Sequence, residues 1–195
     1  MEFLILLAIL PGLIICILIY NQDKKEREPK RELLKAFLLG VLAVILTLLV
    51  SYICKIPLME IDRQDWISLC PYTFQAISQI DEFSKRSCSY LFLKQNKNYD
   101  YLFDGIVYTT FISIGFATIE NILYTVNGGI FTGIVRAITT VPAHAFFGVI
   151  SGYYFSMSKL AKIRIANKKW KKYFVFSLAF PVLLHGFYDF CLLTQ

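Results

Sequence analysis

Leu33–Cys54 reads LLKAFLLGVLAVILTLLVSYIC, with Lys35 near its start as its one charged residue. An α-helix rises 1.5 Å per residue, so about 20 apolar residues cross the ~30 Å hydrocarbon core of a bilayer. Five further stretches read the same way: Glu2–Tyr20, Ile67–Leu93, Leu102–Val126, Gly133–Ser158 and Tyr173–Thr194. Composition agrees. Of 195 residues, 56% are hydrophobic and 17% charged, and mean hydropathy is +0.56, against about 45–50% apolar and about 25% charged in soluble domains. A disordered chain, a collagen-like chain and an ordinary soluble enzyme are excluded. The expected fold is all-α: one integral-membrane domain over residues 1–195, a polytopic bundle of about six transmembrane helices in the cell membrane. The first run lacks a basic leader and a small-residue cleavage site, and is read as a span.

The connections orient the bundle. Lys24, Lys25, Arg27, Lys30, Arg31 and Lys35 flank the first connection, Lys94 and Lys97 the third, and Lys159, Lys162, Arg164, Lys168, Lys169, Lys171 and Lys172 the fifth. The opposite side has Lys55 and Arg63, and its other turn, Asn127-Gly128-Gly129, is uncharged. Basic loops stay in the cytoplasm, so both termini are expected on the extracytoplasmic side. The net charge of +6 is therefore topological, and no nucleic-acid partner is expected. The segment Lys55–Trp66, with Glu60, Asp62 and Asp65, reads as interfacial. Cys16, Cys54, Cys70, Cys88 and Cys191 form no CxxC pair and read as small apolar residues, a Cys54–Cys70 bridge being the alternative.

Charged side chains inside a span cost roughly 2.5–3.5 kcal/mol each at the bilayer centre, so they need partners or a wet cavity. They gather in the last four spans. In Ile80-Asp81-Glu82-Phe83-Ser84-Lys85-Arg86, Asp81 and Lys85 are four apart, as are Glu82 and Arg86, which permits two pairs on helix faces. The alternatives are structural salt bridges or two carboxylates lining a cavity. Phe116 and Glu120 share a face, and Asp104 is expected near the interface. His144 follows Pro142, and Gly148 and Gly152 form a close-packing face. His185 and Asp189 are four apart, four residues beyond Pro181, so the carboxylate can orient the imidazole. Both prolines are expected to free a carbonyl within a span, those of Ile138 and Ser177. Arg136 also falls inside a span. Helix rise puts Glu120, His144, His185 and Asp189 roughly 8–17 Å from the outer ends, and Asp81 and Glu82 roughly 20 Å in. A kink or a later start in the third span would remove that mismatch.

These residues resemble the PrsW family of intramembrane proteases, related to the type II CAAX prenyl endopeptidases. The pattern EExxK, FxxxE, His, HxxxD corresponds here to Asp81-Glu82-x-x-Lys85, Phe116-x-x-x-Glu120, His144 and His185-x-x-x-Asp189, a family-like core over about 80–189. Asp81 departs from the pattern by standing where the family has glutamate.

The resemblance implies an intramembrane endopeptidase. Asp81 or Glu82 would activate water, and Lys85 or Arg86 would keep the other acid ionised. His144 would share the base role or orient the water. His185, held by Asp189, would donate to the oxyanion, and Glu120 would orient a histidine. No cofactor is favoured. Zinc is the alternative, with His144, His185, Glu120 and Glu82 as candidate ligands. The implied partner is a single-pass membrane protein, such as an anti-sigma factor cleaved at its first site. Two other readings stay open: a non-catalytic binding or immunity protein of this fold, and a proton-coupled transporter, against which the lack of an inverted repeat speaks.

Overall fold

The computed structural model describes residues 1–23, 27–54, 66–164 and 169–194. Among these the chain is helical, with no strand. The helices are α1 (Glu2–Gln22), α2 (Lys30–Ile53), α3 (Trp66–Pro71), a π-helical turn (Tyr72–Ser78), α4 (Gln79–Gln95), α5 (Leu102–Ile138), α6 (Thr140–Arg164) and α7 (Lys169–Leu193). Four helical stretches are long and apolar enough to cross a membrane: Glu2–Gln22, Lys30–Ile53, Leu102–Ile163 and Trp170–Leu193. The chain is a multi-pass membrane bundle. Large apolar side chains such as Phe3, Leu6, Leu42, Ile45, Phe131 and Phe187 face outward, as a lipid surround requires. The expected interfacial segment falls on residues 55–65, outside the described residues.

The stretch Leu102–Ile163 has 62 residues, about 93 Å of helix, and therefore doubles back. It bends at Gly129, whose φ of 77° suits glycine, and breaks again at Thr139. The expected fifth span, Gly133–Ser158, is thus divided: Gly133–Ile138 closes α5 and α6 begins at Thr140. Pro142 accordingly lies in the first turn of α6, where a missing N–H removes no helical bond. It does not interrupt a helix, contrary to expectation. Pro181 does lie inside α7. The third span is also divided. Pro71 cannot donate to the carbonyl four residues back, and the helix beyond it widens into the π turn before α4 resumes.

α5 is the hub, packed by α6, α2 and α1, and its residues from Val107 to Thr118 are all buried. Lipid removes the hydrophobic drive for helix association, leaving close packing and hydrogen bonds to do it. A Cβ on Gly40 of α2 would stand 2.0 Å from the Ile112 carbonyl oxygen, and one on Gly115 2.1 Å from that of Phe37. These two backbones touch directly. α6 runs antiparallel to α5 on Gly148 and Gly152, where Thr109 Oγ1 donates to the Gly148 carbonyl at 2.9 Å and Ser113 Oγ to the His144 carbonyl at 2.6 Å.

A second polar cluster sits near the start of α5. Glu28, before α2, is buried and accepts a hydrogen bond from Tyr108 Oη, while its backbone N–H donates to Asp23 Oδ2 at 3.1 Å. Asp104, expected at a solvated interface, is 3% exposed. It caps α5 by accepting from the Asp100 and Tyr101 amides at 2.9 and 2.6 Å. Burial, reinforced by the carboxylates of Asp104 and Asp23, pushes the Glu28 carboxyl up to about 8.

Candidate active site

Four helices bring one polar chain together. On α4, Asp81, Glu82 and Lys85 are buried. Lys85 Nζ forms an ion pair with Glu82 Oε1 and also lies 3.1 Å from His144 Nδ1 on α6. The other nitrogen of that ring, Nε2, is 2.9 Å from Glu120 Oε2 on α5. Glu82 Oε1 is 3.0 Å from His185 Nδ1 on α7, and His185 Nε2 is 3.3 Å from Asp189 Oδ2. The sequence Glu120–His144–Lys85–Glu82–His185–Asp189 is thus one line of contacts across the bundle. The two imidazoles lie edge to face with centroids 4.9 Å apart, and Phe147 stacks on His185 at 5.2 Å.

The partners assign the tautomers. His144 accepts from an ammonium at Nδ1, so Nε2 carries the proton and donates to Glu120. His185 hydrogen-bonds Glu82 through Nδ1, whereas Asp189 Oδ2, 3.3 Å from Nε2, has no hydrogen-bond partner among the described residues. Asp81 differs from the other acids. It is 6% exposed, lies within electrostatic reach of His185, Glu120, Lys85 and Glu82, and has no hydrogen-bond donor among the described residues. The four carboxylates Asp81, Glu82, Glu120 and Asp189 face two fixed cations, Lys85 and Arg136.

All six expected site acids and histidines are buried or partly buried within the bundle. The charge pairs differ from expectation. Lys85 pairs with Glu82, three residues back, rather than with Asp81. Arg86 does not pair with Glu82: its Nε donates to Ser177 Oγ at 3.0 Å, its Nη2 to the Phe174 carbonyl at 2.9 Å, and its guanidinium lies 4.0 Å from the Phe174 ring. Arg86 is taken up by α7, while Lys85 and His185 occupy Glu82. Phe74 of the π turn packs on Gly186, where a Cβ would stand 2.5 Å from the ring, so that turn covers the flank of His185. The expected mismatch in depth has its counterpart in this divided third span. Cys54 and Cys70 are free thiols, as are the other three cysteines.

Two residues carried no expected role. Phe116 places its ring 5.0 Å under the Lys85 ammonium, a contact visible in advance only as the first residue of FxxxE. Arg136, seen only as a charge inside a span, lies 3.2 Å from Glu120 Oε2 through Nη2.

The donor set also suits a metal in kind. One oxygen of Glu82 and one nitrogen each of His144 and His185 lie within 4.8 Å of one another. Two imidazoles and a carboxylate, with a fourth position for water, make a catalytic zinc site. The Lys85 ammonium already rests on two of the three ligands, so an ion would take its place among them.

Facing carboxylates and imidazoles buried inside a lipid-spanning helical bundle define a class, a hydrolase working within the membrane. The model of the PrsW family, described as intramembrane metalloproteases, matches residues 28–195, and the chain belongs to this family of intramembrane proteases. It is 36% identical to the protease PrsW of Geobacillus kaustophilus over 194 residues, which is 98% of this chain and 80% of that protein. Against the Clostridioides difficile protease PrsW it is 35% identical with the same coverage. Against that of Bacillus subtilis it is 33% identical over 95% of this chain and 80% of the relative. No solved structure matches.

Proposed function

We propose that the chain hydrolyses a peptide bond of a single-pass membrane protein, an anti-sigma factor cleaved at its first site being the leading candidate, with a carboxylate-activated water. Six crossings with both termini on the extracytoplasmic side, set by the basic connections, would open the cluster toward the outer leaflet. The observation that carries this reading is the buried contact line from Glu120 to Asp189. It holds a base, an electrophilic donor and orienting groups within one chain of contacts, which is what acyl hydrolysis needs.

The roles follow from hydrogen-bonding capacity. Glu82 accepts from an ammonium and an imidazole, leaving little for a water. Asp81, to which no described residue donates, has lone pairs for the water. Asp81 is therefore the base that takes the water's proton, and Glu82 fixes Lys85 and His185. His185 is held by Glu82 at Nδ1, so its Nε2–H, which makes no hydrogen bond to Asp189, donates to the developing oxyanion and then passes a proton to the leaving amine. His144, fixed by Glu120 at Nε2, orients the water through Nδ1 when Lys85 gives up that contact.

A second reading is favoured by the Glu82, His144 and His185 triad and by the family's description. A bound metal would polarise the scissile carbonyl and lower the pKa of its water. In either reading the same side chains bind, orient and shuttle protons.

The test has two stages. Comparative membrane proteomics with and without the gene identifies a single-pass protein that accumulates uncleaved. Purified wild type, Asp81→Asn, Glu82→Gln and His185→Ala are then given that protein in liposomes, with and without a chelator. Cleavage that resists the chelator and fails in the variants supports the carboxylate reading. Loss on chelation with recovery on zinc supports the metal reading. Binding without cleavage by any form sinks both and leaves the non-catalytic alternative.

A further inference from the structure

Glu120 reaches His144 from one side only, and what holds Glu120 comes from beyond the Gly129 bend. Arg136 returns along α5's own outer end and meets three of its residues at once. Its Nη2 forms an ion pair with Glu120 Oε2 at 3.2 Å without a hydrogen bond, its Nε donates to Asn121 Oδ1 at 3.1 Å, and its guanidinium carbon lies 4.2 Å from the Tyr124 ring centroid. The Arg136 side chain is 11% exposed and that of Glu120 20%, so the pair is only partly screened. Asn121 is fully buried, and its Nδ2 donates to the Ala8 carbonyl at 2.8 Å, which ties the assembly to α1. The Glu120 oxygen that Arg136 faces is the same Oε2 that accepts from His144 Nε2.

We infer that Arg136 is a positioning residue of the active site: it pins Glu120, and through it fixes the ring orientation and tautomer of His144. A carboxylate beyond a histidine sets which ring nitrogen carries the proton, and a planar guanidinium held at three points fixes that carboxylate better than a flexible ammonium does. The bend at Gly129 serves this purpose, because a straight α5 would carry Arg136 roughly 24 Å beyond Glu120. The inference rests on the catalytic reading above, but its test does not require turnover.

The chain has two histidines, so 15N-histidine-labelled protein in nanodiscs shows two imidazoles, assigned with His185→Gln. At one fixed pH the wild type is expected to show His144 as a single Nε2–H tautomer. Arg136→Gln is expected to lose that signature while His185 keeps its own, and Arg136→Lys to recover most of it. The expected catalytic counterpart is a kcat loss of about 10–100-fold at unchanged KM, measured on the single-pass protein found by proteomics. A wild-type His144 signature in Arg136→Gln overturns the inference. So does loss of both histidine signatures together with the thermal transition, which would mark a merely structural residue. Absence of cleavage by wild type would refute the proposed function instead, and the tautomer readout tells the two failures apart.

Discussion

Lys85 Nζ lies 3.1 Å from His144 Nδ1, which puts a fixed cation between a histidine on α6 and the Glu82 carboxylate on α4. That position is the one a metal would need. The ammonium neutralises Glu82 and occupies the lone pair of His144, so an ion must displace it before it can bind both. Cleavage by the wild type is accordingly expected to survive a strong chelator. Lys85→Met, which vacates the position, is expected to bind zinc more tightly than the wild type, as read by equilibrium dialysis with metal analysis. Tighter zinc binding by the wild type would refute this account of Lys85.

Asp81 and Glu82 are neighbours with different expected phenotypes. Asp81→Asn removes a carboxylate that no described residue donates to, so kcat is expected to fall about 10²–10⁴-fold with little change in thermal stability. Glu82→Gln removes the negative charge shared by Lys85 and His185. Leaving a buried charge unpaired costs about 3–5 kcal/mol, so this variant should lose both activity and stability. The double variant Glu82→Gln/Lys85→Met should recover part of the stability without recovering activity. Equal melting temperatures for Asp81→Asn and Glu82→Gln would contradict the division of roles.

The α2–α5 contact gives a test of the packing. A methyl at Gly40 would meet the Ile112 backbone at 2.0 Å, and backbone cannot move aside as a side-chain tip can. Gly40→Ala is expected to cost about 1–3 kcal/mol. At Gly12 of α1 the nearest atom is the Thr118 hydroxyl at 2.8 Å, which can rotate away, so Gly12→Ala should cost less. Unfolding in mixed micelles compares the two, and the reverse ranking would mean that α2 is not seated on α5 as described.

The membrane class was legible because twenty apolar residues in a helix have one comfortable solvent. The site acids and histidines stood out because charge is costly in lipid, and spacing four apart placed His185 beside Asp189. Partners across helices were not legible. Lys85 contacts His144, 59 residues away, and a helix spacing rule speaks only of three or four. The Glu82–Arg86 pair was expected from that rule and is absent because Arg86 bonds Ser177 and Phe174 on α7 while Lys85 and His185 take Glu82. Pro142 looked like a break within a span because Gly133 was taken to start it. The chain instead bends at Gly129, breaks at Thr139 and starts α6 at Thr140, and the same geometry hid the reach of Arg136 back to Glu120. Asp104 looked solvated by its position at a span end, yet Glu28 and Tyr108 close over it.

Glu28 makes stability depend on pH in a defined sense. Burial raises its carboxyl from 4.5 to about 8 in the folded chain, so between those values the folded state holds a proton that the unfolded state has released. Stability from this group is fully present below pH 4.5 and falls as pH rises through the window toward 8. The proton is useful because Glu28 faces Asp104 and Asp23 as well as Tyr108, and a neutral carboxyl avoids repulsion among three acids. The melting temperature of the wild type in detergent is therefore expected to fall between pH 5 and pH 8.5. Glu28→Gln keeps the shape and a hydrogen-bonding amide without the ionisation, and is expected to flatten that slope. An unchanged slope in Glu28→Gln would assign the pH dependence to another group. A slope of opposite sign in the wild type would show that Glu28 is ionised and favourably paired in the folded chain.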